Sequence, residues 1–176
     1  MYYDYVVCFM FDEVSSAKIQ NIKNFLKDNN IETKEKPWPP HITLDLYENI
    51  NKITLIEKTS EIVNNLNAFK LKLNEINQFG SSVLYLQPED TTIFTKIKKQ
   101  FDKTFSQYRI AEIIEREVYT PHVTLLINQD VESAKSFLTS AFEPFEVNIS
   151  NIAIYSKNME LIHNFTLKEK NDDLEY

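Results

Sequence analysis

The chain has 176 residues, 43% of them hydrophobic and 12% aromatic, enough for one buried core and too apolar for a disordered segment. Lys and Arg number 19 against 26 Asp and Glu, a formal net charge of −7 that excludes the broad cationic surface needed to grip long duplex nucleic acid. A lone glycine (Gly80) and a lone cysteine (Cys8) exclude Gly-rich phosphate loops, the Gly-x-Ser-x-Gly elbow, internal disulfides and thiolate zinc clusters.

The start, Met1-Tyr2-Tyr3-Asp4-Tyr5, lacks the basic residues and long apolar run of a signal peptide, and no apolar stretch reaches the roughly 18 residues of a membrane span. The expectation is a soluble, cytoplasmic domain without a membrane partner.

Tyr5 to Phe11 is a short β-branched and aromatic run and predicts a buried strand. Ser15 or Ser16 is placed to cap a helix in which Ile19, Ile22, Phe25 and Leu26 recur at helical spacing up to Asn29-Asn30. Lys34 to Pro40 carries three prolines and cannot be helical. His41 to Tyr47 alternates as a strand, Ile53 to Leu66 predicts a second helix, and Phe69 to Phe79 with Val83 to Gln87 predicts a strand pair turning at Gly80-Ser81. The order then restarts. Thr91-Thr92 are expected to cap a helix with Ile93, Phe94, Ile97, Phe101 and Phe105 on one face, a core stripe. A polar connection through Glu115-Arg116-Glu117 leads to a strand from His122 to Ile127, a helix from Val131 to Phe142, and strands at Phe145 to Tyr155 and Leu161 to Leu167. The acidic tail Asn171 to Tyr176 reads as frayed. No low-complexity linker divides the chain, so residues 1–176 read as one domain. The strand pairs argue for antiparallel sheets and an α+β class rather than a doubly wound sheet.

The restart carries a motif. Pro40-His41-Ile42-Thr43-Leu44 and Pro121-His122-Val123-Thr124-Leu125 match at four of five positions, and His122 stands 81 positions after His41. Side chains two apart in a strand share a face, so His41 pairs with Thr43 and His122 with Thr124, while Ile42, Leu44, Val123 and Leu125 point into a core. Asp45 falls on the His41 face by the same count, with Leu126 at the matching place in the second copy. Two lobes related by a pseudo-two-fold axis would set these faces against each other across a cleft. Two imidazoles that titrate near pH 6.5 then supply one proton acceptor and one donor. Two hydroxyls supply hydrogen bonds for the non-bridging oxygens of a phosphodiester in its transition state. Neither a metal nor a cofactor is needed for that chemistry.

These motifs resemble those of the 2H phosphoesterases, the two-His-x-Thr/Ser group that includes bacterial RNA 2′,3′-cyclic phosphodiesterases, often labelled 2′-5′ RNA ligases. The resemblance covers nearly the whole chain, in element order as well as in motif. It implies a bilobal, pseudo-two-fold fold with interleaved lobes, antiparallel sheets facing a central cleft and helices outside. It implies metal-independent action on a cyclic phosphate or 2′-5′ linkage of a nucleotide or short RNA end, with His41, Thr43, His122 and Thr124 as the catalytic set. The identity of acid and base stays open, as do a reversible 2′-5′ ligase and a non-catalytic nucleotide or RNA-binding module using the same cleft.

Around the motifs, Trp38 and Tyr119 are candidates for stacking on a base, or else for stapling loops to the core. Lys36 and Arg116, with Lys34 and Lys157, are candidates for a cationic rim, or else ordinary surface. A two-histidine metal site would want a third ligand. His163 reads as a packed or partly exposed strand residue, and Cys8 as packing. No obligate protein partner is expected.

Overall fold

The computed structural model describes residues 2–114, 118–128 and 131–169. The tail 171–176 and Arg116 therefore lie outside the described residues. The strands are β1 (Tyr5–Phe11), β2 (His41–Tyr47), β3 (Phe69–Phe79), β4 (Val83–Pro88), β5 (Val123–Ile127), β6 (Phe145–Ser156) and β7 (Leu161–Thr166). The helices are α1 (Glu13–Asp28), α2 (Lys52–Val63), α3 (Thr92–Phe105), a short α4 (Ala111–Ile114) and α5 (Glu132–Thr139), with a 3₁₀ turn at Ser106–Tyr108 after α3. Among the described residues no helix is long and apolar enough to cross a membrane.

Local chemistry explains most boundaries. The α1 cap is Asp12, whose carboxylate accepts the Ser15 amide hydrogen bond at 2.7 Å. Neither Ser15 nor Ser16 is the cap as expected; Ser15 turns its hydroxyl into the fold and accepts from the Asn148 amide at 2.8 Å, tying α1 to β6. At α3 the Thr91 hydroxyl caps nothing; the preceding Asp90 carboxylate takes the Thr92 amide at 2.8 Å. The α3 stripe of Phe94, Ile97, Phe101 and Phe105 is fully buried, as its spacing requires. At about 1.5–3 kcal/mol per buried large apolar side chain, that face anchors the helix to the sheet.

All six strand pairings are antiparallel and join in one sheet of order β2-β1-β6-β3-β4-β5. The long β6 is the hub: its first residues pair with β3, its remainder with β7, and β1 runs along its other side. One arm is thus β2-β1-β6-β7 and the other β6-β3-β4-β5. The sequence repeat restarts at Thr91, but the sheet does not divide there, because β6 and β7 from the second half complete the arm begun by β1 and β2. The sheet curls until β2 and β5, the ends of the two arms, approach each other. One face is covered by α1, α2, α3 and α5 over the main core, which includes Phe9, Ile42, Leu44, Tyr47, Phe94, Phe101, Leu125 and Leu126. The opposite face of the first arm carries a smaller cluster of Val6, Cys8, Leu46, Ile110, Ala153 and Tyr155, with Trp38 and Met10 against it.

Candidate functional site

Both motif strands are edge strands, and both are bulged at the same motif position. On β2, Cys8 pairs with Thr43 and Val7 with Asp45, so Leu44 is the extra residue. On β5, Tyr85 pairs with Thr124 and Leu84 with Leu126, so Leu125 is the extra residue. A bulge inserts one residue and reverses the alternation beyond it. Up to the bulge the expected geometry holds. Ile42 and Val123 are buried in the main core, and His41, Thr43 and Thr124 lie on the opposite, half-buried face.

Beyond the bulge the count changes. Asp45 pairs with Val7, a core residue, and so sits on the helix-covered face rather than the His41 face. The β5 equivalent, Leu126, turns the same way and is buried. Asp45 is fully buried there and held by two cations, Lys98 Nζ at 3.0 Å and Arg109 Nε at 3.0 Å. Asp102 closes the cluster by pairing with Lys98 and with Arg109, the latter at 3.2 Å. Burial pushes the Asp45 carboxyl up, against the opposing pull of both cations. Turned away from the motif face and already paired, Asp45 is no third ligand for a two-histidine metal site. Among the described residues no three His, Cys, Asp or Glu side chains converge as a metal would need.

The two imidazoles are held alike. His41 Nδ1 lies 2.8 Å from the Pro39 carbonyl oxygen, and His122 Nδ1 lies 2.8 Å from that of Thr120. A carbonyl only accepts, so Nδ1 carries the hydrogen in both rings and Nε2 is the lone-pair nitrogen of each neutral form. Each bond runs to the residue two before the histidine, so the residue just ahead of each proline-led pentapeptide sets the tautomer. Around His41, the Trp38 ring lies 4.1 Å away between centroids, with its edge on Tyr155 at 5.3 Å. Around His122, Phe79 and Tyr85 lie at 4.8 and 5.1 Å and stack on each other at 4.3 Å. Burial, then the charges of Lys23 and of a protonated His122, push His41 down to about 4, against the raising effect of the Pro39 carbonyl. The rings are close enough for charge on one to weigh on the other.

The remaining candidates separate. Tyr119 packs its ring against the main core and donates its hydroxyl to the Thr43 carbonyl at 2.9 Å, which makes it a staple between the motifs rather than an open stacking surface. Trp38 and the exposed Lys36 line a cavity of about 860 Å³ with Lys23, Pro39, Leu125 and Leu126, beside both motifs. Lys34 uses its backbone amide to bond Ile127. Lys157 stands over the Tyr2 ring beside Asp4, at the end of β1 away from His41. His163 pairs with Ile154 and is exposed on the helix-covered side of the sheet edge, opposite the motif face. Cys8 is fully buried across from Thr43, and burial pushes its thiol well up even with the Thr43 hydroxyl facing it. Sequence reasoning missed the Asp45 cluster and the aromatic pair beside His122. The one available signal was Leu125-Leu126, two apolar neighbours that break alternation in an edge strand.

The fold recurs in known proteins. A family model of the 2′-5′ RNA ligase superfamily matches residues 11–159. No curated protein matches the chain in sequence. Among solved structures, TT0787 of Thermus thermophilus is similar at a TM-score of 0.69 and 12% identity, covering 96% of this chain and 100% of that one. LigT of E. coli in its apo form is similar at a TM-score of 0.68 and 10% identity, covering 95% of this chain and 98% of that one. At such identities the likeness speaks for the fold, and the family match over most of the chain speaks for descent. With its duplicated His-x-Thr strands at the two ends of one curled antiparallel sheet, the chain belongs to the 2′-5′ RNA ligase superfamily of 2H phosphoesterases.

Proposed function

We propose that the chain is a metal-independent phosphodiesterase that opens a cyclic phosphate, or cleaves a 2′-5′ linkage, in a nucleotide or short RNA end. The observation that carries this reading is the matched pair of imidazoles, each with Nδ1 committed to a backbone carbonyl, which makes Nε2 the basic nitrogen of each neutral ring. A group depressed to about 4 is neutral at pH 7, so His41 is the base in the resting protein. It removes a proton from the attacking water or ribose hydroxyl as the new P–O bond forms. His122, in its protonated form, delivers a proton to the ribose oxygen as the old P–O bond breaks. The Thr43 and Thr124 hydroxyls donate to the non-bridging oxygens, where transition-state charge is greatest. A bound phosphate anion opposes the cationic influence of Lys23 and His122, which raises His41 toward its ordinary range and strengthens it as a base.

A cavity of about 860 Å³ next to the first motif is lined by Trp38 and Pro39, and by none of His41, Thr43, His122 and Thr124. LigT has been crystallised with 3′-AMP and with ATP, which makes nucleotides the ligands to test first here. The test is incubation with 2′,3′-cyclic mononucleotides and 2′-5′-linked dinucleotides in EDTA, with His41→Ala and His122→Ala alongside. Turnover that survives the chelator and falls by roughly 10²–10⁴ in either variant is expected. Nucleotide that binds saturably but is recovered unchanged would make the chain a binding module and overturn the proposal.

A further inference from the structure

The reaction just proposed needs its two imidazoles at a fixed separation, yet β2 and β5 share no ladder. They are opposite ends of one sheet, reached from each other only through β1, β6, β3 and β4. Small errors in five successive strand spacings would accumulate in the gap between the rings. The structure closes it by other bonds. The lead-in to β5 reaches β2 through Tyr119, three residues before His122, whose hydroxyl donates to the Thr43 carbonyl at 2.9 Å. The lead-in to β2 reaches β5 in return: the Lys34 amide donates to the Ile127 carbonyl at 2.7 Å, and the Ile127 amide donates to the Thr33 hydroxyl at 3.1 Å. Each motif strand is thus laced along its outer edge by the segment that introduces the other.

The Tyr119 bond is the one that lands inside a motif. Its acceptor belongs to Thr43, two residues after His41 and next to the bulge at Leu44. Two further contacts fix where the phenol lies. Its ring packs against the main core, and Lys98 Nζ, held by Asp45 from the same strand, stands 5.8 Å from the ring centroid. We propose that Tyr119 is a positioning residue, whose hydroxyl, tied to the Thr43 carbonyl and braced by the Asp45–Lys98 pair, sets the distance between the His41 and His122 rings. This rests on the phosphodiesterase reading above. A misplacement of about 1 Å between reacting groups lowers turnover by up to about 100-fold without changing what binds.

Tyr119→Phe tests the point, because it deletes one oxygen and keeps the packed ring. Steady-state kinetics on whichever nucleotide the wild type turns over should show kcat lower by about 10- to 100-fold. KM should stay within about twofold, and the thermal midpoint should move by a few degrees only. Wild-type kcat in Tyr119→Phe, with His41→Ala and His122→Ala both inactive, would overturn the lacing alone. A parallel loss of kcat, KM and thermal midpoint would reduce Tyr119 to packing and overturn it as well. Full activity in His41→Ala would instead remove the phosphodiesterase reading beneath it. Thr33→Val, which loses the bond to Ile127 at the end of β5, gives a comparison: its loss should change kcat by less than Tyr119→Phe, and an equal or larger fall would contradict the special place of Tyr119.

Discussion

Replacing Asp45 by leucine, the residue that the second motif carries at the matching place, probes the bulged geometry from inside the core. The Asp45 side chain is 0% exposed and Lys98 6%, so both ions depend on their partners in the cluster for neutralisation. Removing the carboxylate leaves Lys98 and Arg109 sharing Asp102, which is 33% exposed and partly solvated. Breaking one partner out of a buried pair costs about 3–5 kcal/mol, and the remaining carboxylate places Asp45→Leu near the lower end. Lys98→Met alone costs less, because Asp45 keeps Arg109 at 3.0 Å. The double variant Asp45→Leu/Lys98→Met removes both charges, leaves Arg109 on Asp102, and recreates on β2 the apolar surface that Leu126 provides on β5. Well-packed apolar replacement of a buried pair is often neutral, so the double variant should lie within about 1 kcal/mol of wild type. Urea unfolding followed by far-ultraviolet circular dichroism measures all four proteins, and the cycle should show a coupling of at least about 2 kcal/mol. Additive losses, or an Asp45→Leu protein as stable as wild type, would refute the placement of Asp45 on the helix-covered face.

Two further outcomes follow from His41. Its folded pKa of about 4 lies below the usual 6.5, so the unfolded chain binds more protons between those values. The neutral ring's contribution is fully present above pH 6.5 and lost as pH falls toward 4, about 3 kcal/mol in all. Unfolding free energies measured across that window should show the loss in wild type and not in His41→Asn; equal loss in both would assign it elsewhere. Trp38 is the only tryptophan and lies 4.1 Å from the His41 ring, so its fluorescence, quenched by a protonated imidazole, should titrate near pH 4 and lose that transition in His41→Gln. A midpoint near 6.5 would contradict the burial of the ring.

What the sequence revealed depended on how local the cause was. The motif tautomers are set by carbonyls only two residues away, on Pro39 and Thr120, so each pentapeptide and the residue before it contain everything needed to build them. The strand from Tyr5 to Phe11 and the α3 stripe were legible for the same reason: period and composition decide them within a few residues. The cap of α1 was misplaced because Asp12, Ser15 and Ser16 all suit the role, and only the approach of Asn148 from β6 draws Ser15 away. The hub role of β6 could not be read, since nothing in Phe145–Ser156 states which strands will flank it. Asp45 was assigned to the wrong face because strict alternation holds only until a bulge, and a bulge depends on the partner strand. The 3₁₀ turn at Ser106–Tyr108 and α4 lay unseen in a stretch read as a polar connection, where Ile110 nevertheless packs into the small cluster beside Cys8. Pro40 and Pro121 announced the site; Asp45, Lys98, Phe79 and Tyr85 required coordinates.

The most direct measurement is a crystal of the wild-type protein soaked with inorganic phosphate. A tetrahedral anion should appear with oxygens at about 2.6–3.2 Å from the Nε2 of both His41 and His122, and with the Thr43 and Thr124 hydroxyls on its remaining oxygens. Phosphate bound elsewhere while that gap holds only water, or two rings too far apart to share one anion, would contradict the account.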